Sequence, residues 1–386
     1  MQKVEISPTR FVPPPARTTA ETGGSIDGTL SVPASVRAQP TYEIKLSSHV
    51  YGKGLSREGW DAASSQEFDL TLVAREPIGA PLMRKPAVLL IHGGGFVDGN
   101  AGAMQGLGNF FASRGWIAFS VNYRKEAEHG SLPRLWPPTS CASDDERVKQ
   151  WWRVMRTFVK KGKKMYPAAR DAKAAVRWIH ANAQQFGVHE DSIVAVGHSA
   201  GGFLSCMLGL TEPGDYRDEI STTDDPTLLT TNLDARSDVA ASVVLAGSPA
   251  LVHLLHVRDG RSRFDSLKAR GQRFKGVLIV HGDKDAVVPH ICAVQLVDLC
   301  EQSGALHQLV TLPGAGHNFP YRAQSQATQL QIYRFIVERL RLTVESEEPP
   351  EAPDPPAAGT STTSEGDREC TDDADAPAGR PLCTTV

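Results

Sequence analysis

The chain has 386 residues, 40% of them hydrophobic and 22% charged, with 34 glycines and 26 prolines. These proportions exclude fibrous and collagen-like chains and suit a soluble protein rich in turns, with one large α/β unit and appendages. No apolar run nears the roughly 18 residues that would span a bilayer, and the N-terminus lacks the apolar segment of a secretory signal.

Six cysteines (Cys141, Cys206, Cys292, Cys300, Cys370, Cys383) are irregularly spaced and form no metal-binding pattern. Reduced thiols in a cytoplasmic protein are the expectation. No transmembrane segment and no nucleic-acid partner are expected. The net charge of −3 hides a division, because Glu345–Val386 holds 11 acidic and 2 basic residues and the rest of the chain is net positive. With almost no large apolar side chain, residues 345–386 cannot offset the entropy of ordering and are expected to be a disordered acidic, Pro-rich tail. Residues 1–38, rich in Pro, Thr, Ser and Gly, are expected to be a mobile arm. That leaves 39–344 as the folded unit.

Within that unit Tyr42–Leu46 and Phe68–Val73 alternate apolar and polar residues, as half-exposed antiparallel edge strands do. Ala87–Ile91, Trp116–Val121, Ile193–Val196, Val239–Leu245 and Val277–Val280 are short continuous apolar runs, the pattern of strands buried on both faces of a parallel sheet. A further strand is predicted over Leu306–Leu312. Between them Ala172, Ala175, Val176, Ile179 and Ala183 repeat at helical spacing, as do Ile332, Phe335, Ile336 and Leu340 near the end. The alternation predicts an α/β fold, a mostly parallel central sheet with helices on both faces.

Four motifs fall just past predicted strands, where α/β sheets place ligands and chemistry. His92-Gly93-Gly94-Gly95-Phe96 follows Ala87–Ile91. Its consecutive glycines let backbone N–H groups converge, as stabilisation of an oxyanion requires, and no P-loop Lys-Ser/Thr follows. Gly197-His198-Ser199-Ala200-Gly201-Gly202 lies between the run Ile193–Val196 and an apolar helical segment. A strand, a sharp turn holding Ser and then a helix make a nucleophile elbow. His281-Gly282-Asp283-Lys284-Asp285 follows Val277–Val280, and Gly314-Ala315-Gly316-His317 follows Leu306–Leu312. Nucleophile, acid and histidine thus arrive in the order Ser, Asp, His. Asp283 and Asp285 both lie in the loop after Val280. Asp283, next to the strand's end, suits a turn cap, and Asp285, further along toward Pro289, suits the acid.

On these four motifs the segment from about 40 to 343 resembles the α/β-hydrolase superfamily, and within it the HGGG-type esterases and lipases, hormone-sensitive-lipase-like and feruloyl-esterase-like. One departure is Tyr123-Arg124-Lys125-Glu126-Ala127-Glu128, where hormone-sensitive-lipase-like members show YRLAPE. The resemblance implies a serine carboxylesterase with Ser199 as nucleophile, Asp285 as acid and His317 as base. Gly94, Gly95 and Ala200 would form the oxyanion hole, and the substrate would be a small ester. Such chemistry calls for no metal and no organic cofactor. The same residues could serve an arylformamidase, another amidase or a peptidase. A non-catalytic receptor or scaffold on the same fold is the remaining alternative, though such proteins commonly lack a triad residue and none is missing here.

Two insertions are expected near the pocket. The first, about 125–170, is a helical cap insertion. The Ser143-Asp144-Asp145-Glu146 capping box opens a basic amphipathic helix over 144–164, suited to packing on the core or to contact with a membrane surface or a protein partner. The second is Thr211–Asp238, expected to border the site. The terminal Thr384-Thr385-Val386 has the form of a ligand for PDZ-type domains.

Overall fold

In the computed structural model the continuous apolar runs become the middle of one eight-stranded sheet. The structure describes residues 35–61, 63–81, 84–134, 136–138, 146, 149, 161–259, 273–321 and 325–345. The arm up to residue 34, most of the helix expected over 144–164, the tail beyond Glu345 and the terminal PDZ-type motif lie outside the described residues.

In chain order the elements are β1 (Ser35–Arg37), β2 (Ile44–Arg57), β3 (Ser65–Pro77), β4 (Lys85–Ile91), α1 (Gln105–Ala112), β5 (Ile117–Val121), α2 (Gly162–Ala181), β6 (Val188–His198), α3 (Ala200–Leu210), β7 (Ala241–Leu245), α4 (Ala250–Asp259), β8 (Val277–Gly282), α5 (Ile291–Ser303), β9 (His307–Leu312), α6 (Ser325–Leu340) and β10 (Thr343–Glu345). The large sheet runs β2-β3-β5-β4-β6-β7-β8-β9. β3 pairs antiparallel with both β2 and β5, and every other pairing is parallel.

The central strands read as unbroken apolar runs because both faces are covered. In β4, Ala87, Leu89 and Ile91 pack with α2 and α3, while Val88 and Leu90 pack with α1 and α6. β6 divides in the same way, with Ile193 and Ala195 on one face and Val194 and Val196 on the other. The helical residues Ala172, Ala175, Val176 and Ile179 are fully buried, as are or nearly are Ile332, Phe335 and Ile336. Each central strand ends at the same edge of the sheet, so the turns after β4, β6, β8 and β9 share one rim.

Two boundaries depart from expectation. β2 and β3 run well beyond Tyr42–Leu46 and Phe68–Val73 as a long hairpin with a register shift between Val50 and Gly52. The glycines of β2 mark close approach to other segments. A Cβ at Gly52 would meet Thr231 Cγ2 at 2.9 Å, and one at Gly54 would meet the Arg124 side chain at 3.2 Å. The second departure corrects the start of the folded unit. Residues 35–37 were expected in the arm 1–38, yet they form β1 and pair in parallel with β10. Val36 is buried among the α1 and α6 side chains, Tyr333 donates to the Arg37 carbonyl at 2.7 Å, and Arg37 pairs with Glu345 at 3.0 Å. A buried apolar side chain, the strand pairing and polar contacts of this kind hold a segment whose composition alone reads as loose.

α2 is buried almost all round, and its charges are therefore paired inside the protein. Asp171 takes both the Nη2 (2.7 Å) and the Nε of Arg124 and also accepts the Arg124 backbone N–H at 2.7 Å. Arg170 lies 3.5 Å from Asp225, and Arg177 donates to the Thr231 carbonyl at 2.8 Å. The second insertion, Thr211–Asp238, also makes polar contacts around α2. They include contacts to α2, to β2 through Lys53 N–H and Thr230 (2.7 Å), to α4 through Tyr216 O–H and the Leu251 carbonyl (2.8 Å), and to β6 through Arg236 and Asp191 (3.0 Å). Removing one member of a buried pair strands the other, which costs about 3–5 kcal/mol. Asp171→Ala should lose stability of that order in urea denaturation, and a loss below about 1 kcal/mol would show that Arg124 finds another partner.

Candidate active site

The elbow after β6 forces Ser199 into φ 54°, ψ −119°, a backbone region that costs a non-glycine residue of order 1–3 kcal/mol and persists only when its surroundings impose it. Here they do. Ser199 N–H is held by the Leu245 carbonyl of β7 at 2.9 Å, and Phe203 N–H returns to the Ser199 carbonyl at 3.1 Å. Strand and helix come so close that a Cβ at Gly197 would collide with the Gly201 carbonyl, and one at Gly201 with the Ile91 carbonyl of β4. Only glycine fits at either place. The result is a serine presented at the N-terminus of α3, whose first amides have no intrahelical acceptors.

Three side chains from three loops meet there. His317 Nε2 lies 2.8 Å from Ser199 Oγ, and His317 Nδ1 lies 2.7 Å from Asp285 Oδ2. A carboxylate only accepts, so Nδ1 carries the hydrogen and Nε2 is left to accept from the Ser199 hydroxyl. Asp285 Oδ1 accepts the N–H groups of Val287 and Val288, both at 2.9 Å, which fixes the carboxylate plane. Asp283, two residues earlier, is exposed and accepts the Gly314 N–H at 2.7 Å. It ties the β8 loop to the β9 loop and does not reach the imidazole.

The glycine turn after β4 faces the elbow. A Cβ at Gly93 would lie 3.1 Å from Ser199 Cβ and from the His198 carbonyl oxygen, so the turn packs closely against the elbow. Gly94 and Gly95 both have positive φ, 113° and 63°. The Gly94 carbonyl accepts Val97 and Asp98 N–H at 3.0 and 3.1 Å. Among the described residues no hydrogen bond occupies the N–H groups of Gly94 and Gly95. Below the turn His92 stacks on Tyr123 at 4.2 Å, and the Tyr123 hydroxyl donates to the His92 carbonyl at 3.0 Å. Phe96 packs edge-on against Phe203 of α3. Arg124, the buried partner of Asp171, follows Tyr123 directly, so the brace under the turn is anchored in α2.

Sequence reasoning missed three participants. Tyr123 is the brace just described. His281 donates through Nε2 to the Val288 carbonyl at 2.8 Å, with Asp285 Oδ2 at 3.3 Å, behind the carboxylate. His198 Nε2 lies 2.9 Å from the His317 carbonyl oxygen. His198 and His281 stood inside the quoted motifs, but their partners come from loops that only the fold brings together. A cavity of about 110 Å³ opens on the other side of His198, lined also by Met104, Leu107, Leu245, Pro320 and Ile332.

Burial pushes His198 down to about 4, with its hydrogen bond to the His317 carbonyl only partly opposing this. Burial lowers His92 and His281 as well. Each of these groups takes up a proton more readily when unfolded. Stability is therefore full above about pH 6.5 and falls as the pH drops toward 4, by at most about 3 kcal/mol for His198 alone. The melting temperature should decline steadily between pH 7 and 4.5; a constant value across that range would contradict neutral burial of these imidazoles.

Among the described residues no group of three or more His, Cys, Asp or Glu side chains is arranged to hold a metal ion, and no helix is long and apolar enough to cross a membrane. Residues 156–343 match the model of the prolyl oligopeptidase family. The chain is 26% identical over 258 residues to esterase LipC of Mycobacterium tuberculosis, covering 62% of this chain and 54% of that protein. It is 28% identical over 163 residues to carboxylesterase 1C of Rattus norvegicus, covering 42% of this chain and 25% of that protein. The chain thus spans about half the length of the first relative and a quarter of the second. Among solved structures a thermophilic esterase, Est2 of Thermogutta terrifontis with butyrate bound, superposes with a TM-score of 0.50 at 21% identity, covering 78% of this chain and 94% of that one.

Proposed function

We propose that this chain, an α/β-hydrolase with esterase relatives, hydrolyses carboxylic esters through an acyl-enzyme on Ser199. The observation that carries the reading is the unbroken line Asp285 Oδ2, His317 Nδ1, His317 Nε2, Ser199 Oγ, at 2.7 and 2.8 Å, ending on a serine at φ 54°. The motif His92-Gly93-Gly94-Gly95-Phe96 supports a place among the HGGG-type esterases. The buried free thiols of Cys206, Cys292 and Cys300 support a reducing, cytoplasmic setting.

In this mechanism Ser199 Oγ attacks the acyl carbon while its proton passes to His317 Nε2. The carbonyl oxygen becomes an oxyanion and is met by the N–H groups of Gly94, Gly95 and Ala200. Asp285 keeps the imidazole in the Nδ1–H tautomer and stabilises the imidazolium that forms. The tetrahedral intermediate collapses, the C–O bond to the alcohol breaks, and His317 returns the proton to the leaving alkoxide. Water then repeats the sequence in reverse: His317 takes its proton, the hydroxide oxygen bonds to the acyl carbon, and Ser199 leaves reprotonated with the acid released.

The match of residues 156–343 to a peptidase family favours one second reading, cleavage of an activated amide by the same line of groups. A panel of p-nitrophenyl esters, formyl-anilides and peptidyl p-nitroanilides separates the two, with the esters expected to turn over fastest. Ser199→Ala should lower kcat on the order of 10⁶-fold with an unchanged melting temperature, and appreciable turnover by the folded variant would refute the nucleophile. Asp285→Asn should lower kcat by about 10⁴-fold. Asp283→Asn should instead cost about 0.5–1.5 kcal/mol of stability, by weakening the tie to the Gly314 N–H. A greater loss of kcat at Asp283 than at Asp285 would reverse the assignment of the acid.

A further inference from the structure

His198 occupies an unusual place beside the reacting groups. It is the last residue of β6, its side chain is almost fully buried, and its ring centroid stands 5.0 Å from that of His317. Its Nδ1 edge faces the glycine turn, where a Cβ at Gly93 would come within 3.2 Å of it. Its Nε2 faces the His317 carbonyl oxygen at 2.9 Å. A carbonyl only accepts, so Nε2 must carry a hydrogen. Phe319 meets the ring edge-on at 6.5 Å, and the cavity of about 110 Å³ lies against it.

We propose that His198 is a positioning residue, whose Nε2–H holds the backbone of His317 at the distance from β6 that lets the His317 imidazole reach Ser199. The inference rests on the esterase reading of the site. Ser199 is fixed by β6, β7 and α3, whereas His317 rides on a loop past the edge strand β9, where Gly314 takes φ 71°. The two must agree to within a fraction of an ångström, since misplacement by about 1 Å can cost on the order of 100-fold in rate. A hydrogen bond from the residue next to the nucleophile refers the loop directly to the nucleophile's own strand. Such a bond acts on the geometry of proton transfer and leaves the substrate's binding contacts alone, so its loss should appear in kcat with little change in KM. The neighbouring cavity leaves room for side chains of other shapes.

The test compares His198→Phe, which keeps a ring and loses the donor, with His198→Gln, whose amide N–H can stand near the position of Nε2. His198→Asn, polar but too short to reach, covers the case in which the Phe variant fails to fold. In the full chain, with p-nitrophenyl esters, His198→Phe and His198→Asn should lower kcat by about 10- to 100-fold with KM nearly unchanged, and His198→Gln should recover most of the loss. A folded Phe or Asn variant with wild-type kcat overturns the proposal, as does a Gln variant no better than Asn. Nitrogen-15 NMR of the imidazoles gives a readout that needs no turnover, with His198 expected as the Nε2–H tautomer; the Nδ1–H tautomer overturns the tether. A wild-type protein without esterase activity but with the Nε2–H tautomer would count against the proposed reaction while upholding the tether.

Discussion

The close approach of β6, α3 and the turn after β4 is the constraint on which the site depends. Gly197 against Gly201 and Gly201 against the Ile91 carbonyl put backbone against backbone with no room for a side chain, and Gly93 packs tightly against His198 and Ser199. That crowding makes the strained conformation of Ser199 the one that fits, and the Leu245 carbonyl fixes it from the neighbouring strand. The strain is offset by burial on both faces of the sheet, where α2 and α3 cover one side and α1 and α6 the other. A rigid sheet holds the serine, and the remaining groups are brought to it by loops.

Those loops are cross-tied. Asp283 holds the β9 loop through the Gly314 N–H, Asp285 binds the amides of its own loop and the His317 imidazole, and His198 holds the His317 carbonyl. Two carboxylates in one short loop therefore do different work because one faces solvent and the other is buried beside His281. The brace under the glycine turn works on the same plan. Tyr123 supports the His92 carbonyl, and the next residue, Arg124, is locked to Asp171 inside α2.

Much of this was legible in the sequence, for local reasons. Buried parallel strands announce themselves as apolar runs, and the glycine-rich turns and the order Ser199, Asp285, His317 mark which strand ends come together. Position in the loop favoured Asp285 over Asp283 as the acid, and in the structure Asp285 contacts the His317 imidazole while Asp283 contacts the Gly314 N–H. What escaped depended on contacts between distant segments. Nothing near His198 signals that its partner is the carbonyl 119 residues later. The close approach of Gly52 and Gly54 of β2 to Thr231 and Arg124 has no local signal, because those side chains come from far along the chain. Residues 35–37 have the composition of an arm and are ordered by pairing with Thr343–Glu345, at the other end of the folded unit.

The central claim is that Ser199 is a nucleophile made ready by His317. A fluorophosphonate probe tests it most directly, because it bonds covalently to an activated serine and ignores an ordinary hydroxyl. Intact-mass analysis should show one adduct per chain, and peptide mapping should place it on Ser199. An unmodified protein, or an adduct on another residue, would contradict the account.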